Sequence, residues 1–253
     1  MVMDEGFGEI GLIPIYFGYD ERESIGAYVF MNSVLTRASE PISFIPLHLD
    51  TVRKFYKEKH TDGTNNFIYS RFLIPYMQGY QGWAIFVDGA DMLCRADIAE
   101  LWKLRDQFGK AVQVVKHDYK TTAKRKYIGT DMEADNQDYP RKNWSSVMLI
   151  NCGHYAWRLI TPSFIESAKG SFLHRFEFLK DDEIGELPKE WNHIVWEQPP
   201  NKDAKIVHYS LGIPGFDHYQ YCEFSDEWFY EKKMMEWSAN GIRHIQQPKI
   251  KHC

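Results

Sequence analysis

Asp88 and Asp91 follow directly on Trp83-Ala-Ile-Phe-Val87, a run of five apolar residues. A run without polar alternation reads as a strand buried on both faces. Its acids then emerge at the carboxyl end of the strand, where open α/β sheets bind their ligands. Carboxylates avoid burial unless they are paired or bound to a metal. Gly89 and Ala90 leave room beside the acids for a bulky anion. Oxygen ligands of this kind suit Mg²⁺ or Mn²⁺, ions that bridge protein carboxylates to a diphosphate. Residues i and i+3 of a regular strand face opposite sides, so Asp88 and Asp91 reach one ion only if the chain turns at Gly89. Taken alone, the two acids also fit a solvated turn.

The elements that must position these acids follow from apolar spacing. Gly11-Leu-Ile-Pro-Ile-Tyr-Phe17 is β-favouring and ends at Gly18, with Pro14 predicting a sheet edge or an irregular ladder. Apolar residues recur at helical spacing from Ser24 to Arg37, and Ile42 to Leu47 is a second strand. Helices are expected over Thr51–His60, in part over Tyr69–Met77, and over 155–168 and 173–180. A Gly/Asn turn is expected at 62–66. Asp97 with Glu100 three residues on predicts a helix start, so Asp97 reads as a cap and not a ligand. Ala111–Lys116, Ser146–Asn151 and Lys205–Tyr209 have strand character, and Asp226 to about Asn240 reads as a terminal amphipathic helix. Residues 119–143 are polar and charged, a long loop expected to be mobile. No repeat and no linker rich in Pro, Gly or Ser divides residues 1–253, so one α/β domain is expected, with a C-terminal helix and tail from about 225.

Composition excludes some classes. The chain has 253 residues, 44% hydrophobic and 26% charged, with a formal net charge of −5. That charge argues against a nucleic-acid partner, which needs a surplus of Lys and Arg. Aromatic content of 15%, with 8 Trp and 15 Tyr, suits a sugar site or simply a core. Acids in Met1–Gly6 stand where a signal peptide needs positive charge, and no apolar stretch approaches the ~18 residues of a membrane span. Cys94, Cys152, Cys222 and Cys253 form no C-x-x-C pair. The expectation is a cytoplasmic protein of undetermined oligomeric state. The Lys120–Lys126 charge run reads as a solvated loop, and the basic Lys249–His252 tail leaves room for peripheral membrane contact.

Phe86-Val-Asp-Gly-Ala-Asp-Met-Leu-Cys-Arg-Ala-Asp-Ile-Ala-Glu-Leu-Trp102 resembles the acidic D-x-D region of glycosyltransferase family 8 and its bacterial relatives. Further segments match in the same order. Tyr16-Phe-Gly-Tyr-Asp20 resembles the donor-nucleotide loop, and Tyr69-Ser-Arg71 the Y-x-R-L segment. Ser145-Ser-Val-Met-Leu-Ile-Asn151, Leu187-Pro-Lys-Glu-Trp-Asn192 and Ile206-Val-His-Tyr209 resemble the F-N-x-G-V-x-L-I-N, L-P-x-x-W-N and I-V-H-Y segments. Together they span residues 12 to about 216.

The resemblance implies a GT-A (Rossmann-like) domain with a mixed central sheet flanked by helices. It implies a hexosyltransferase that moves a sugar from UDP to a saccharide or other acceptor, with retention and without an evident nucleophile. The metal would be held by the acidic motif and a late histidine, His208, a set that leans towards Mn²⁺ over Mg²⁺. Asp20 would meet the uracil ring, with Phe17 or Tyr19 beside it and Gly18 at the strand end. Arg71 would clamp the phosphates. Asp181 and Asp182 fall where the family places polar residues against the donor sugar, and Trp191 and Asn192 would line the acceptor side or the core.

Two departures stand out. The family has one residue between its acids and this chain has two, so Asp91 aligns better than Asp88. After His208 many members carry G-x-K-P-W, whereas this chain has Gly212-Ile-Pro-Gly-Phe216. Arg71, Lys124, Arg125 or Lys126 would have to replace the missing lysine. Two other classes remain open: a binding protein for nucleotide sugar or carbohydrate with weak catalysis, and a sugar nucleotidyltransferase, against which the acidic Gly18-Tyr-Asp-Glu-Arg22 segment counts.

Overall fold

A computed structural model describes residues 11–61, 65–106 and 108–239. The expected turn residues 62–64, the acids of Met1–Gly6, Cys253 and the Lys249–His252 tail lie outside the described residues. The strands are β1 (Ile13–Gly18), β2 (Ile42–Leu47), β3 (Trp83–Val87), β4 (Met92–Cys94), β5 (Val112–Val114), β6 (Arg125–Lys126), β7 (Ala134–Asp135), β8 (Val147–Asn151), β9 (Ile184–Glu186), β10 (His193–Ile194) and β11 (Ile206–His208). The α-helices are α1 (Ser24–Leu35), α2 (Leu49–Val52), α3 (Ile74–Met77), α4 (Ile98–Lys103), α5 (Pro162–Ile165), α6 (Gly170–His174) and α7 (Ser225–Ala239).

Six strands form a mixed central sheet in the order β2-β1-β3-β8-β5-β9. β1 runs parallel to both β2 and β3, β8 is antiparallel to β3 and β5, and β9 is parallel to β5. β1 and β3 therefore deliver their carboxyl ends to the same edge, with Phe17 beside Val87. The apolar run of β3 is buried along Ala84–Val87, as its composition requires. Pro14 sits inside β1 without breaking the sheet. Ile13 N–H donates toward β2, to Pro41 O, so alternation turns Pro14 nitrogen toward β3. There the register starts only at Ile15.

A second sheet, β10-β11-β4, lies beside the first, with β11 parallel to β10 and antiparallel to β4. Val29 of α1, Leu93 of β4, Val207 of β11 and Trp228 of α7 share one buried cluster that fastens this sheet to the helices. Asp97 caps α4 by accepting from Ala99 N–H at 2.9 Å, as expected. Among the described residues no helix is long and apolar enough to cross a membrane. Cys94, Cys152 and Cys222 are buried and free.

Helical expectations fail where distant contacts claim the chain. In place of Thr51–His60 only α2 forms. Lys57 N–H turns instead to Glu166 at 2.9 Å, and the His60 ring stacks on Tyr69 at 3.5 Å between centroids. The stretch 155–168 breaks into a 3₁₀ turn, Tyr155–Leu159, and α5. Thr161 precedes Pro162 and is extended, as the proline ring demands, and its hydroxyl caps α5 through Phe164 N–H. The helix expected at 173–180 is displaced to α6, and Phe176 beyond it has φ +51°. The 119–143 segment contains the β6–β7 hairpin, held by Arg125 to Glu133 at 2.9 Å and to Asp135 at 2.6 Å.

Candidate functional site

Asp88 follows β3 at the shared carboxyl edge, its N–H donating at 2.9 Å to Ser146 O, just ahead of β8. The chain then turns. Gly89 adopts φ +71°, and a Cβ there would meet the Phe17 Cβ at 2.8 Å, so the turn needs glycine twice over. Ala90 N–H donates to Asp88 O at 2.7 Å and closes the turn. Asp91 emerges on the same side as Asp88, and β4 begins at the next residue. This is the turn that both acids needed to reach one ion.

His208 comes from the other sheet. The register of β11 on β4 sets it opposite Met92, next to Asp91, and Tyr209 N–H donates to Asp91 O at 2.8 Å. Its Nε2 lies 3.2 Å from Asp91 Oδ2 and 3.8 Å from Asp88 Oδ2. Its Nδ1 meets Asn192 Oδ1 at 3.2 Å. Asn192 cannot turn its amide round, because its Nδ2 donates to Ser146 Oγ at 2.8 Å and to Asn143 O at 3.3 Å. With Nδ1–H donating to Asn192, the Nε2 edge stays aimed at the two carboxylates. One ligand atom each from Asp88, Asp91 and His208 lies within 4.8 Å of the others, and all three residues are buried.

Arg71 approaches Asp88 from the opposite side. Its Nη1 stands 2.6 Å from Asp88 Oδ1, an ion-pair contact outside hydrogen-bond angles, and donates to Ser145 O at 2.8 Å. Nε donates to Ile68 O at 3.0 Å, and the Phe86 ring lies 4.9 Å below the guanidinium. Burial pushes the Asp88 carboxyl up to about 6, partly opposed by Arg71. Burial alone would raise Asp91 too, but His208 and then Arg71 outweigh it and hold that carboxyl below its usual range. Against the same burial, Asp91 raises the His208 imidazole above its ordinary value.

The group opens into a cleft of about 650 Å³. Lys126 of the hairpin, Asn136 just after it, Lys142, and His174 and Arg175 at and just beyond the end of α6 also line it. Ser145 Oγ contacts His174 Nδ1 at 2.7 Å, and burial holds that imidazole well below its usual pKa, so it is neutral. Burial likewise lowers the Lys126 ammonium, opposed by Asp91 and Glu23.

The predicted site residues divide into two groups. Asp88, Asp91, His208 and Arg71 converge on the cleft. Phe17, Gly18, Tyr19 and Asp20 stand at the neighbouring end of β1 but do not line it. Phe17 backs the Gly89 turn, Gly18 is covered by Phe67, and Tyr19 packs edge-on to His48 at 5.4 Å. Asp20 is fully buried and internally engaged. It accepts from Arg22 Nη2 at 2.6 Å, Arg22 Nε at 2.9 Å, Arg22 N–H at 3.0 Å and Asn66 N–H at 3.1 Å. Asp182 is exposed, its backbone carbonyl taken by Lys110, and Asp181 pairs with Arg141 at 2.5 Å, so neither lines the cleft. Trp191 is core, and Asn192 orients His208 rather than facing an acceptor. Of the four cations weighed as substitutes for the missing lysine, Arg71 and Lys126 line the cleft, whereas Lys124 and Arg125 are exposed outside it. Sequence reasoning passed over Lys142, His174 and Arg175, which carry no local motif.

No known family model matches the chain. Its fold is similar to solved glycosyltransferases of the GT-A type. For the bifunctional glycosyltransferase WbbM the TM-score is 0.64 at 14% identity over 90% of this chain, which spans about half (51%) of that chain. For the glycosyltransferase GlyE of Streptococcus pneumoniae TIGR4 the TM-score is 0.57 at 14% identity, covering 95% of this chain and 66% of that one. For the galactosyltransferase LgtC, solved with donor and acceptor sugar analogs, it is 0.52 at 12% identity, covering 93% and 98%. At such identities the likeness is one of fold, and the shared mixed sheet flanked by helices is what it establishes. Sequence kinship is much nearer elsewhere: 40% identity over 254 residues, 97% of this chain and 95% of the relative, to Protein CDI of Arabidopsis thaliana. That extent of identity along nearly the whole of both chains makes this protein a member of the Protein CDI family.

Proposed function

We propose that this chain is a metal-dependent glycosyltransferase, a hexosyltransferase that moves a sugar from a UDP-sugar to a saccharide or other acceptor with retention. The observation that carries the reading is the convergence of Asp88, Asp91 and His208 at the carboxyl edge of a glycosyltransferase-like sheet. UDP and retention rest on the resemblance to glycosyltransferase family 8.

The residues fit a divalent ion. Asp91 Oδ1 is buried without a hydrogen-bond partner, an acceptor that a cation would satisfy. Ligands about 2.1 Å from one ion lie at most about 4.2 Å apart. The three ligand atoms already lie within 4.8 Å of one another, so only small side-chain shifts are needed. Two carboxylates and an imidazole form a set that Mn²⁺ accepts more readily than Mg²⁺ does. When bound, such an ion supplies charge neutralisation to a diphosphate leaving group. Asp88, Asp91 and His208 would hold it, while Asn192 fixes the imidazole. Arg71, anchored by Ser145 O and Ile68 O, presents a fixed positive charge at the cleft floor. The end of β1, beside the Gly89 turn, would take the nucleoside.

Two departures favour a second reading, a nucleotide-sugar or carbohydrate-binding protein with little turnover: the acids Asp88 and Asp91 are two residues apart, and Gly212-Ile-Pro-Gly-Phe216 carries no lysine. The test for both is a panel of UDP-sugars in Mn²⁺, scored for UDP release, with Asp91→Asn as control. The transferase reading expects release that stops with chelator and in the variant. Release that continues undiminished in chelator would sink it, and calorimetric binding without release would favour the second reading.

A further inference from the structure

Trp191 is buried in the core, whereas Trp196, just after β10, is 46% exposed. Single exposed aromatics are ordinary on a protein surface. This one is set apart by its backbone and by its place in the fold. We propose that the Trp196 indole is the platform on which a pyranose ring of a saccharide acceptor stacks, beside the cleft. The inference rests on the UDP-sugar reading above and supplies its acceptor side.

Three observations carry it. First, the position follows from register. β10 runs parallel to β11 and pairs Ile194 with His208, and Val195 N–H continues the ladder to His208 O at 3.0 Å. Past that pair both chains emerge at the edge where Asp91 precedes β4, Ser210 from β11 and Trp196 from β10. Ser210 lines the cleft, and neighbouring strands lie about 4.8 Å apart, so Trp196 stands one strand beyond the cleft wall. Second, the chain holds Trp196 there against strain. Its φ is +64°, a left-handed value that a bulky side chain adopts only under constraint. The constraint is a turn tied at both ends. Gln198 N–H donates to Ile194 O at 3.1 Å, and Ile194 N–H donates to Gln198 Oε1 at 2.9 Å. Third, the indole is backed from below. It packs on the buried Tyr219 ring, 5.4 Å between centroids and tilted by 38°, while Tyr219 OH accepts from Ile128 N–H at 3.0 Å. Glu197, the next residue, accepts at Oε1 from Thr121 Oγ1 at 2.6 Å and from cleft-lining Asn136 Nδ2 at 3.2 Å. A rigid, uncharged, half-exposed indole matches the apolar CH face of a pyranose and leaves the sugar hydroxyls to water and to the cleft. Because Trp196 stands outside the cleft lining, it meets the acceptor and not the donor sugar, whose diphosphate would lie at the Asp88, Asp91 and His208 group.

The test is steady-state UDP release from the best donor of the UDP-sugar panel in Mn²⁺, with methyl pyranosides and disaccharides as acceptors. It compares the unaltered protein with Trp196→Asn, Trp196→Phe and Phe108→Ala. Asn tolerates a left-handed backbone, so Trp196→Asn removes the ring and keeps the turn. Phe108 is 91% exposed but precedes β5 at the opposite edge of the central sheet. Loss of the platform is expected to raise the saccharide KM about tenfold in Trp196→Asn, while the UDP-sugar KM moves less than about twofold. Trp196→Phe is expected to recover most of the saccharide affinity, and Phe108→Ala to match the unaltered protein. Partial unfolding lowers kcat and leaves both KM values in place, so it does not imitate the split. Should the UDP-sugar bind without release, calorimetric titration of the same saccharides at saturating UDP-sugar replaces the kinetics, with the same expected loss. An unchanged saccharide KM or Kd in Trp196→Asn overturns the assignment, as does an unaltered protein that takes the UDP-sugar but responds to no saccharide. Both results leave the donor reading intact. Failure of the unaltered protein to bind any UDP-sugar overturns the donor reading and this inference with it.

Discussion

The ends of β1 and β3 lie side by side on one sheet edge and both carry buried acids, yet they are finished in opposite ways. At β1, Asp20 gathers four internal hydrogen bonds, two of them a fork from Arg22. At β3, Asp88 and Asp91 are drawn together against their mutual repulsion, and Asp91 Oδ1 is left with no donor at all. Burying an unsatisfied carboxylate oxygen is costly, and folds retain such groups where a ligand completes them. The contrast separates an acid that builds the structure from acids that could hold a cation. Asp20 sits in a cap that closes on itself; Asp91 sits in a turn that opens on a cleft.

The largest expected effect follows from that open end. Asp91→Asn removes one negative ligand and keeps the shape. Metal-dependent UDP release is expected to fall by about 100-fold or more, the scale of losing a principal electrostatic group from a transfer site. In the unaltered protein Mn²⁺ at 100 times its Kd is expected to raise stability by about 2.7 kcal/mol. The variant should lose most of that rise in a thermal melt. Equal Mn²⁺ stabilisation of both proteins would break the comparison, because Asp91 would then be as closed a group as Asp20.

Next comes the turn that creates the difference. Gly89→Ala forces a side chain into φ +71° and against Phe17 at 2.8 Å. A strained left-handed residue costs about 1–3 kcal/mol, and contact with Phe17 adds to that. Denaturant unfolding should show the loss, together with weaker Mn²⁺ binding as the two carboxylates are pulled apart. A variant as stable and as responsive to Mn²⁺ as the parent would mean that the turn does not set the geometry.

These two residues also mark how far the sequence could be read. The apolar run 83–87 and the acids after it are local signals, and the observed strand and turn match them residue for residue. The same holds for β2 and for α1, whose expected end at Arg37 falls only slightly beyond Leu35. His208 was reachable only through its order among motifs, because nothing local says that β11 will pair with β4 and bring it to Asp91. Asn192 was legible as a polar residue beside a Trp, but its role depends on Ser146 and Asn143, more than 40 residues away in sequence. Asp20 was legible as an acid at a strand end. Whether it faces a ligand or Arg22 is decided by side-chain packing, which periodicity does not encode. The short helices around 51–60 and 155–180 failed for the same reason: contacts from distant residues outweigh propensity in segments too short to be helical alone.

Asn192→Ala probes the same contrast from behind the Asp88, Asp91 and His208 group. Without the amide oxygen at 3.2 Å from Nδ1, the imidazole of His208 loses the contact that fixes its orientation. Partners of this kind are worth about 10- to 100-fold in metal affinity. A Mn²⁺ titration is expected to show a loss of about tenfold, smaller than for Asp91→Asn, with the fold retained. No loss would leave His208 oriented by the carboxylates alone.

The smallest effect belongs to the closed end. Asp20→Asn leaves Mn²⁺ affinity unchanged and lowers stability by about 1 kcal/mol, because the Arg22 partner is 42% exposed and solvent screens the pair. Burial pushes the Asp20 carboxyl up, but the bonds from Arg22 and Asn66 outweigh it and hold its pKa below the ordinary carboxylate value. A depressed pKa makes the contribution present above the unfolded value, about 3.9, and lost as pH falls through the folded one. The stability difference between parent and Asp20→Asn should therefore be constant near neutral pH and shrink in acid below about pH 4. Urea unfolding at a series of pH values measures it. If Asp20→Asn instead loses UDP affinity at neutral pH while its stability is unchanged, Asp20 exchanges Asn66 for a ligand, and the two strand ends form one continuous site.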